Sequence, residues 1–180
     1  MLDPHREYLG FRTVAILPAI LFLPPLVSFA TGPAKWAEYA GILFHLSVLF
    51  LVPRLAAPSW GRAAGYAWIG IDVLTGVLVV NDVPDDLTLP VRLGGHIFAG
   101  IWIASSSLCH RSLVIRTVGV VAGVWIGGYT FVATVLPLSF LSPGGVLSTA
   151  WYVLLAVLHQ PAAAENTPDV APDGAVRTAS

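Results

Sequence analysis

Asp72 lies in GYAWIGIDVLTGVLVV, residues 65–80, a stretch otherwise suited to lipid. His45 lies in WAEYAGILFHLSVLF, and Arg92 and His96 in VRLGGHIFAGIWIA. Inserting an aspartate at the centre of a membrane helix costs about 2.5–3.5 kcal/mol. Such a residue turns toward the inside of a bundle, and it is by default a candidate functional group. A carboxylate beside an imidazole can share and exchange a proton near neutral pH. That pair is the minimum for a proton relay or a protonation-gated switch. Thr75 follows Asp72 on the same helical face and brings a hydroxyl within reach. Arg92 precedes His96 by one turn and either snorkels to the surface or turns inward toward Asp72. The bland alternative has no turnover: the same groups tie three helices together.

The elements that must position these groups are apolar helices. The chain has 180 residues, of which 56% are hydrophobic and 11% charged. A soluble domain averages about 45–50% apolar and about 25% charged residues. A spanning helix needs roughly 20 apolar residues, and six segments qualify, near 11–30, 36–53, 63–80, 91–109, 113–136 and 144–160. The expected fold is all-α: a polytopic integral membrane bundle of six transmembrane helices, forming one domain over 1–160. Residues 161–180, PAAAENTPDVAPDGAVRTAS, lack large apolar side chains and read as a disordered cytoplasmic tail. Pro18, Pro24 and Pro25 interrupt the first segment, which is expected to be a retained, kinked helix. Ser28-Phe29-Ala30 offers the alternative of a signal-peptide cleavage site.

Basic residues favour the cytoplasmic side. With the N-terminus inside, Arg6, Arg12, Arg54, Arg62, Arg111, Arg116 and Arg177 fall on that side, and only Lys35 and Arg92 fall outside. Both termini are therefore expected inside, and the acidic stretch NDVPDDLTLP, 81–90, is expected to be an outer loop. Its Asn81, Asp82, Asp85 and Asp86 lack the spacing of a calcium loop and read as solvated, so no metal site is assigned. Trp36 and Trp60 fall near the two interfaces.

These boundaries set depths. At the helical rise, Asp72 lies about 12 Å, His45 about 13–14 Å and His96 about 7–8 Å below the outer ends of their helices. Short loops make segments 2, 3 and 4 neighbours, so both histidines are expected near Asp72. A b-type haem between His45 and His96 is the sharpest cofactor alternative. The depth offset of about 6 Å counts against it, and otherwise no cofactor is expected.

Gly119, Gly123 and Gly127 repeat at spacing four and make a flat stripe that another backbone can approach closely. It serves either packing within the bundle or an interface with a second copy or a membrane partner. Ser105, Ser106 and Ser107 read as packing hydroxyls bonded to their own helix. The single cysteine, Cys109, excludes an internal disulfide and reads as a small buried thiol. A net charge of −1 with no basic run excludes a nucleic-acid partner. There is no P-loop, no G-x-S-x-G and no H-E-x-x-H, so no catalytic residue is assigned and an enzyme is not expected. The lipid bilayer is the expected environment and the cytoplasmic (plasma) membrane the expected location. The leading functional expectation is a small transporter-like or protonation-sensing protein built on Asp72, His45, His96, Arg92 and Thr75. The alternatives are an assembly subunit of a membrane complex and a bis-histidine haem or quinone redox protein.

Overall fold

The computed structural model describes residues 10–31 and 34–158, apart from the side chains at 29 and 30. The expected tail at 161–180 and the last two residues of the sixth segment, 159 and 160, lie outside the described residues. Among the described residues the chain is all helical: α1 Phe11–Thr31, α2 Lys35–Val48, α3 Ser59–Val80, α4 Asp85–Leu108, α5 Leu113–Tyr129 and α6 Ser142–Leu158. Short 3-10 turns cover Val52–Arg54 and Leu138–Leu141. Five segments are long and apolar enough to cross a membrane: Phe11–Ser28, Lys35–Arg54, Ser59–Val80, Asp85–Leu108 and Leu138–Leu158. The remaining apolar helix, α5 at Leu113–Tyr129, is shorter than these segments, with 17 residues.

Several boundaries differ from the sequence expectation, among them the end of α2, which stops at Val48, before the 3-10 turn at Val52–Arg54, instead of reaching 53. The stretch 81–90 is not one loop, because α4 begins at Asp85. Asp85 and Asp86 occupy its first turn, where a carboxylate faces the positive end of the helix dipole. The turn before it is a Schellman motif: Val83 N–H donates to Leu78 O at 3.0 Å and Asp82 N–H to Val79 O at 3.1 Å. Asp82 supplies the left-handed residue, φ 62°, that this motif requires. A further correction is at α5, which ends at Tyr129 instead of continuing to 136. Gly127 and Gly128 weaken the helix there, and the chain proceeds in turns such as Val132 N–H to Tyr129 O, 3.0 Å. Another is at α3, which starts four residues earlier, at Ser59, directly after Pro58. In α1 the helix runs through Pro18, Pro24 and Pro25.

The helices form a closed ring in chain order: each packs on the next, and α6 returns to α1. Neighbours are antiparallel. The start of α2 meets the end of α3 through the Lys35–Asp82 ion pair, and the end of α5 meets the start of α4 through Thr130 Oγ1–H to Leu93 O, 2.8 Å. One end of the ring carries Lys35, Glu38, Asp82, Asp85, Asp86 and Arg92; the opposite end carries Arg12, Arg54, Arg62, Arg111 and Arg116.

Small residues hold the ring closed. A Cβ at Gly123 would lie 2.6 Å from the Gly100 carbonyl and 2.9 Å from the Ala104 amide nitrogen, so α4 and α5 touch backbone to backbone. The glycine stripe thus faces α4 within the chain, with Trp151 of α6 over Gly119. Around the inner wall run Phe44, Trp68, Trp102, Trp151 and Tyr152, each in ring contact with the next. The outer surface is apolar instead of polar: Leu23, Leu43, Leu74, Ile101, Val124 and Val157 are all exposed. Trp36 and Trp60 are exposed near opposite ends. Cys109, expected to be buried, is exposed, because the helix of α4 stops there and Cys109 is its cap residue at the end of the ring.

Candidate functional site

A cavity of about 100 Å³ lies inside the ring, lined from all six helices. Its walls repeat at helical spacing: Glu38, Gly41, Ile42 and His45 on α2; Trp68, Asp72 and Gly76 on α3; Arg92, His96, Ala99 and Ile103 on α4; Gly145, Ser148 and Tyr152 on α6. Steps of three and four residues keep a side-chain row on one face.

Asp72 is buried on that wall, 3% exposed. Its Oδ2 lies 3.1 Å from His45 Nε2 on α2. The same oxygen accepts a hydrogen bond from Trp68 Nε1–H, 2.5 Å, one turn earlier on α3. Its Oδ1 has no hydrogen-bond partner. On the far side, α4 comes close only because Gly95 has no side chain.

The histidine contacts determine the proton count. His45 Nδ1 lies 2.7 Å from the carbonyl oxygen of Gly41. A carbonyl only accepts, so Nδ1 must carry a hydrogen. The Nε2···Oδ2 contact then holds a single proton, on the imidazole as His45⁺/Asp72⁻ or on the carboxyl as His45/Asp72-H. Either way the pair is neutral as a unit. Trp68 Nε1–H is a fixed donor to Oδ2 in both states.

Arg92 turns inward but does not bond Asp72. It makes a two-pronged bridge to Glu38 of α2, Nη1–Oε1 3.0 Å and Nη2–Oε2 2.7 Å. A bidentate arginine–carboxylate pair is the geometrically strongest kind. Both side chains are about a quarter exposed, at 27% and 23%. Glu38 also lines a depression of about 350 Å³ at the acidic end, with Lys35, Asp82 and Asp85. Glu38 therefore lines both that vestibule and the central cavity, and Arg92 lines the cavity.

Of the groups singled out in the sequence, Asp72, His45, His96 and Arg92 line one cavity. Thr75 does not join them: its hydroxyl donates to Ile71 O at 2.8 Å, on its own helix. A mid-helix threonine often finds this local acceptor before a distant one. His96 lines the cavity with a buried Nδ1 that has no hydrogen-bond partner. The depth offset between the histidines disappears once α4 starts at Asp85. His96 then lies about 16 Å and His45 about 15 Å from the acidic helix ends. The haem alternative meets a different obstacle: both ring nitrogens of His45 are engaged, by Gly41 O and Asp72 Oδ2, so axial ligation would break the buried pair. Among the described residues, no group of three or more His, Cys, Asp or Glu is arranged to hold a metal ion. Ser105 and Ser107 donate to Trp102 O and Ile103 O of their own helix, as expected, whereas the buried Ser106 hydroxyl has no hydrogen-bond partner.

The sequence reading missed Glu38, Trp68 as a hydrogen-bond donor, Ser148 and Tyr152. A signal existed for two of them. Glu38 precedes His45 by seven residues and Trp68 precedes Asp72 by four, so each shares a helical face with a group already singled out. Ser148 and Tyr152 carried no such mark, because α6 has no charged residue to draw attention to its inner face.

Compared with known proteins, the chain matches no family model, no curated protein and no solved structure.

Proposed function

We propose that this chain is a six-helix protein of the cytoplasmic membrane, with both termini inside, that works by exchanging one proton at the His45–Asp72 pair of its central cavity. The observation that carries the reading is the pair of contacts at His45: Nδ1 lies 2.7 Å from Gly41 O, which calls for Nδ1–H, and Nε2 lies 3.1 Å from Asp72 Oδ2, which calls for one proton between them. The exposed apolar belt supports insertion into a bilayer. The arginine-rich end supports its placement on the cytoplasmic side. In that orientation the vestibule and the Glu38–Arg92 bridge face outward. A proton reaching the cavity from outside passes that bridge, and its arrival on the pair changes the charge of a buried wall. Such a change can drive carriage of a small solute or signal external acidity.

The test is nitrogen NMR of histidine-labelled protein in lipid nanodiscs, with His45 assigned by His45→Gln. The expected result is an Nδ1 that stays protonated while Nε2 changes state as pH is varied across the range where the fold holds. Asp72→Asn is expected to displace that titration. An Nε2 locked in one state throughout would reduce the pair to a structural tie between α2 and α3 and defeat the reading.

A further inference from the structure

We propose that the central cavity binds a small organic ammonium ion in exchange for the proton shared by His45 and Asp72. This rests on the proton-exchange reading and names the ligand class of the same site.

The sign of the charge comes first. The ionisable groups facing the cavity are Glu38 and His45 on α2, Asp72 on α3, Arg92 and His96 on α4 and Tyr152 on α6, with none from the α1 and α5 walls. Glu38 and Arg92 cancel each other in their bidentate bridge. Asp72 is balanced only while the pair holds its proton. Once that proton leaves, the lining has one uncompensated negative charge, and a cation is the species that restores balance.

The lining chooses the kind of cation. A hard metal ion takes about six or more oxygen ligands. Among the described residues, the fully buried side-chain oxygens of the lining without hydrogen-bond partners are Asp72 Oδ1, Ser148 Oγ and Tyr152 Oη. All three side chains are at least nine-tenths buried and line the cavity. The rest of the wall includes the rings of Phe22, Phe44, Trp68 and Tyr152. Aromatic faces attract desolvated organic cations, and a few convergent acceptors orient an N–H group. Buried polar atoms without partners call for a water or a ligand. At roughly 10–15 Å³ per water centre, about 100 Å³ admits several waters or an amine of a few heavy atoms.

The exchange balances without covalent chemistry. An alkylammonium enters, its N–H groups donate to Asp72 Oδ1 and to the hydroxyl oxygens, and the shared proton leaves for water on the vestibule side. One positive charge goes in and one comes out.

The experiment titrates detergent-purified protein with ethylammonium chloride in weakly buffered solution and reads proton release with a pH indicator. Sodium chloride, sodium propionate, propanol and the larger tetrapropylammonium serve as controls. The expected result is saturable release approaching one proton per chain with ethylammonium alone. Tyr152→Phe is expected to weaken it several-fold and Asp72→Asn to abolish it. If Asp72→Asn fails to fold, the wild-type comparison between ethylammonium and the controls decides. Release no greater than with sodium chloride, release that also occurs with propionate, or release unchanged in folded Asp72→Asn would overturn the proposal. The NMR titration of His45 Nε2 separates the two failures. If it persists while ethylammonium does nothing, the ligand class is wrong and the proton site stands; if it is also absent, both fall.

Discussion

Gly95 of α4 faces Asp72 of α3 with no side chain between them: a Cβ at Gly95 would lie 2.7 Å from Asp72 Oδ1 and 3.1 Å from Ile71 Cγ2. The carboxylate position thus depends on an absent methyl group on the neighbouring helix. Gly95→Ala is expected to push the carboxylate, disturb its contact with His45 and move the Nε2 resonance of His45. Gly94→Ala, which meets nothing within 4 Å, is the control expected to leave that resonance in place.

Removing one member of the buried pair should cost more than removing both. His45→Ala leaves Asp72 buried with only Trp68 as a partner, and breaking a buried ion pair costs about 3–5 kcal/mol. The double variant His45→Gln with Asp72→Asn replaces the charges by an amide pair of similar shape and should recover much of that loss. Reversible unfolding in mixed micelles would measure the coupling. Strictly additive losses would show that the two side chains do not support each other.

The α4–α5 contact should tolerate no added bulk. Gly123→Ala drives a methyl into the Gly100 carbonyl and the Ala104 backbone, and overpacking of this kind costs about 1–3 kcal/mol. Gly128→Ala, with open space around it, should be neutral or stabilise by up to about 1 kcal/mol. Thermal midpoints of the two variants in the same detergent check the contrast.

Entry to the cavity should be controlled by the Glu38–Arg92 bridge. In a Cys109→Ser background, Ser148→Cys places a thiol on the cavity wall. Arg92→Gln removes the guanidinium from the bridge and is expected to raise the alkylation rate of that thiol several-fold. An unchanged rate would mean that solvent reaches Ser148 by another route.

The orientation has a direct readout in Cys109, the single cysteine, exposed at the arginine-rich end. In intact cells an impermeant maleimide should leave it unlabelled, while Asp86→Cys in the Cys109→Ser background should be labelled. Labelling of Cys109 from outside would invert the proposed topology.

The apolar segments and the separation of arginine from aspartate along the chain are local properties. Helix content, five helices of spanning length and the unequal charge of the two ends follow from them, because a run of apolar residues has few ways to satisfy its backbone except as helix. That Asp72 and His45 meet was also legible, since two costly polar groups at similar depth on adjacent helices have each other as the nearest relief. The start of α4 was not legible from hydropathy, because Asp85 and Asp86 read as loop residues until their place at a helix N-terminus is known. What only the tertiary structure decided is which atom answers which. Arg92 goes to Glu38, 54 residues away, while Thr75 turns to its own backbone and Trp68 donates to Asp72. The glycine stripe is covered by α4, and α6 brings Ser148 and Tyr152 to the cavity. These outcomes depend on the ring closing from α6 to α1, and on helix rotations that side-chain packing sets around the whole circle. Periodicity along one segment carries no information about either.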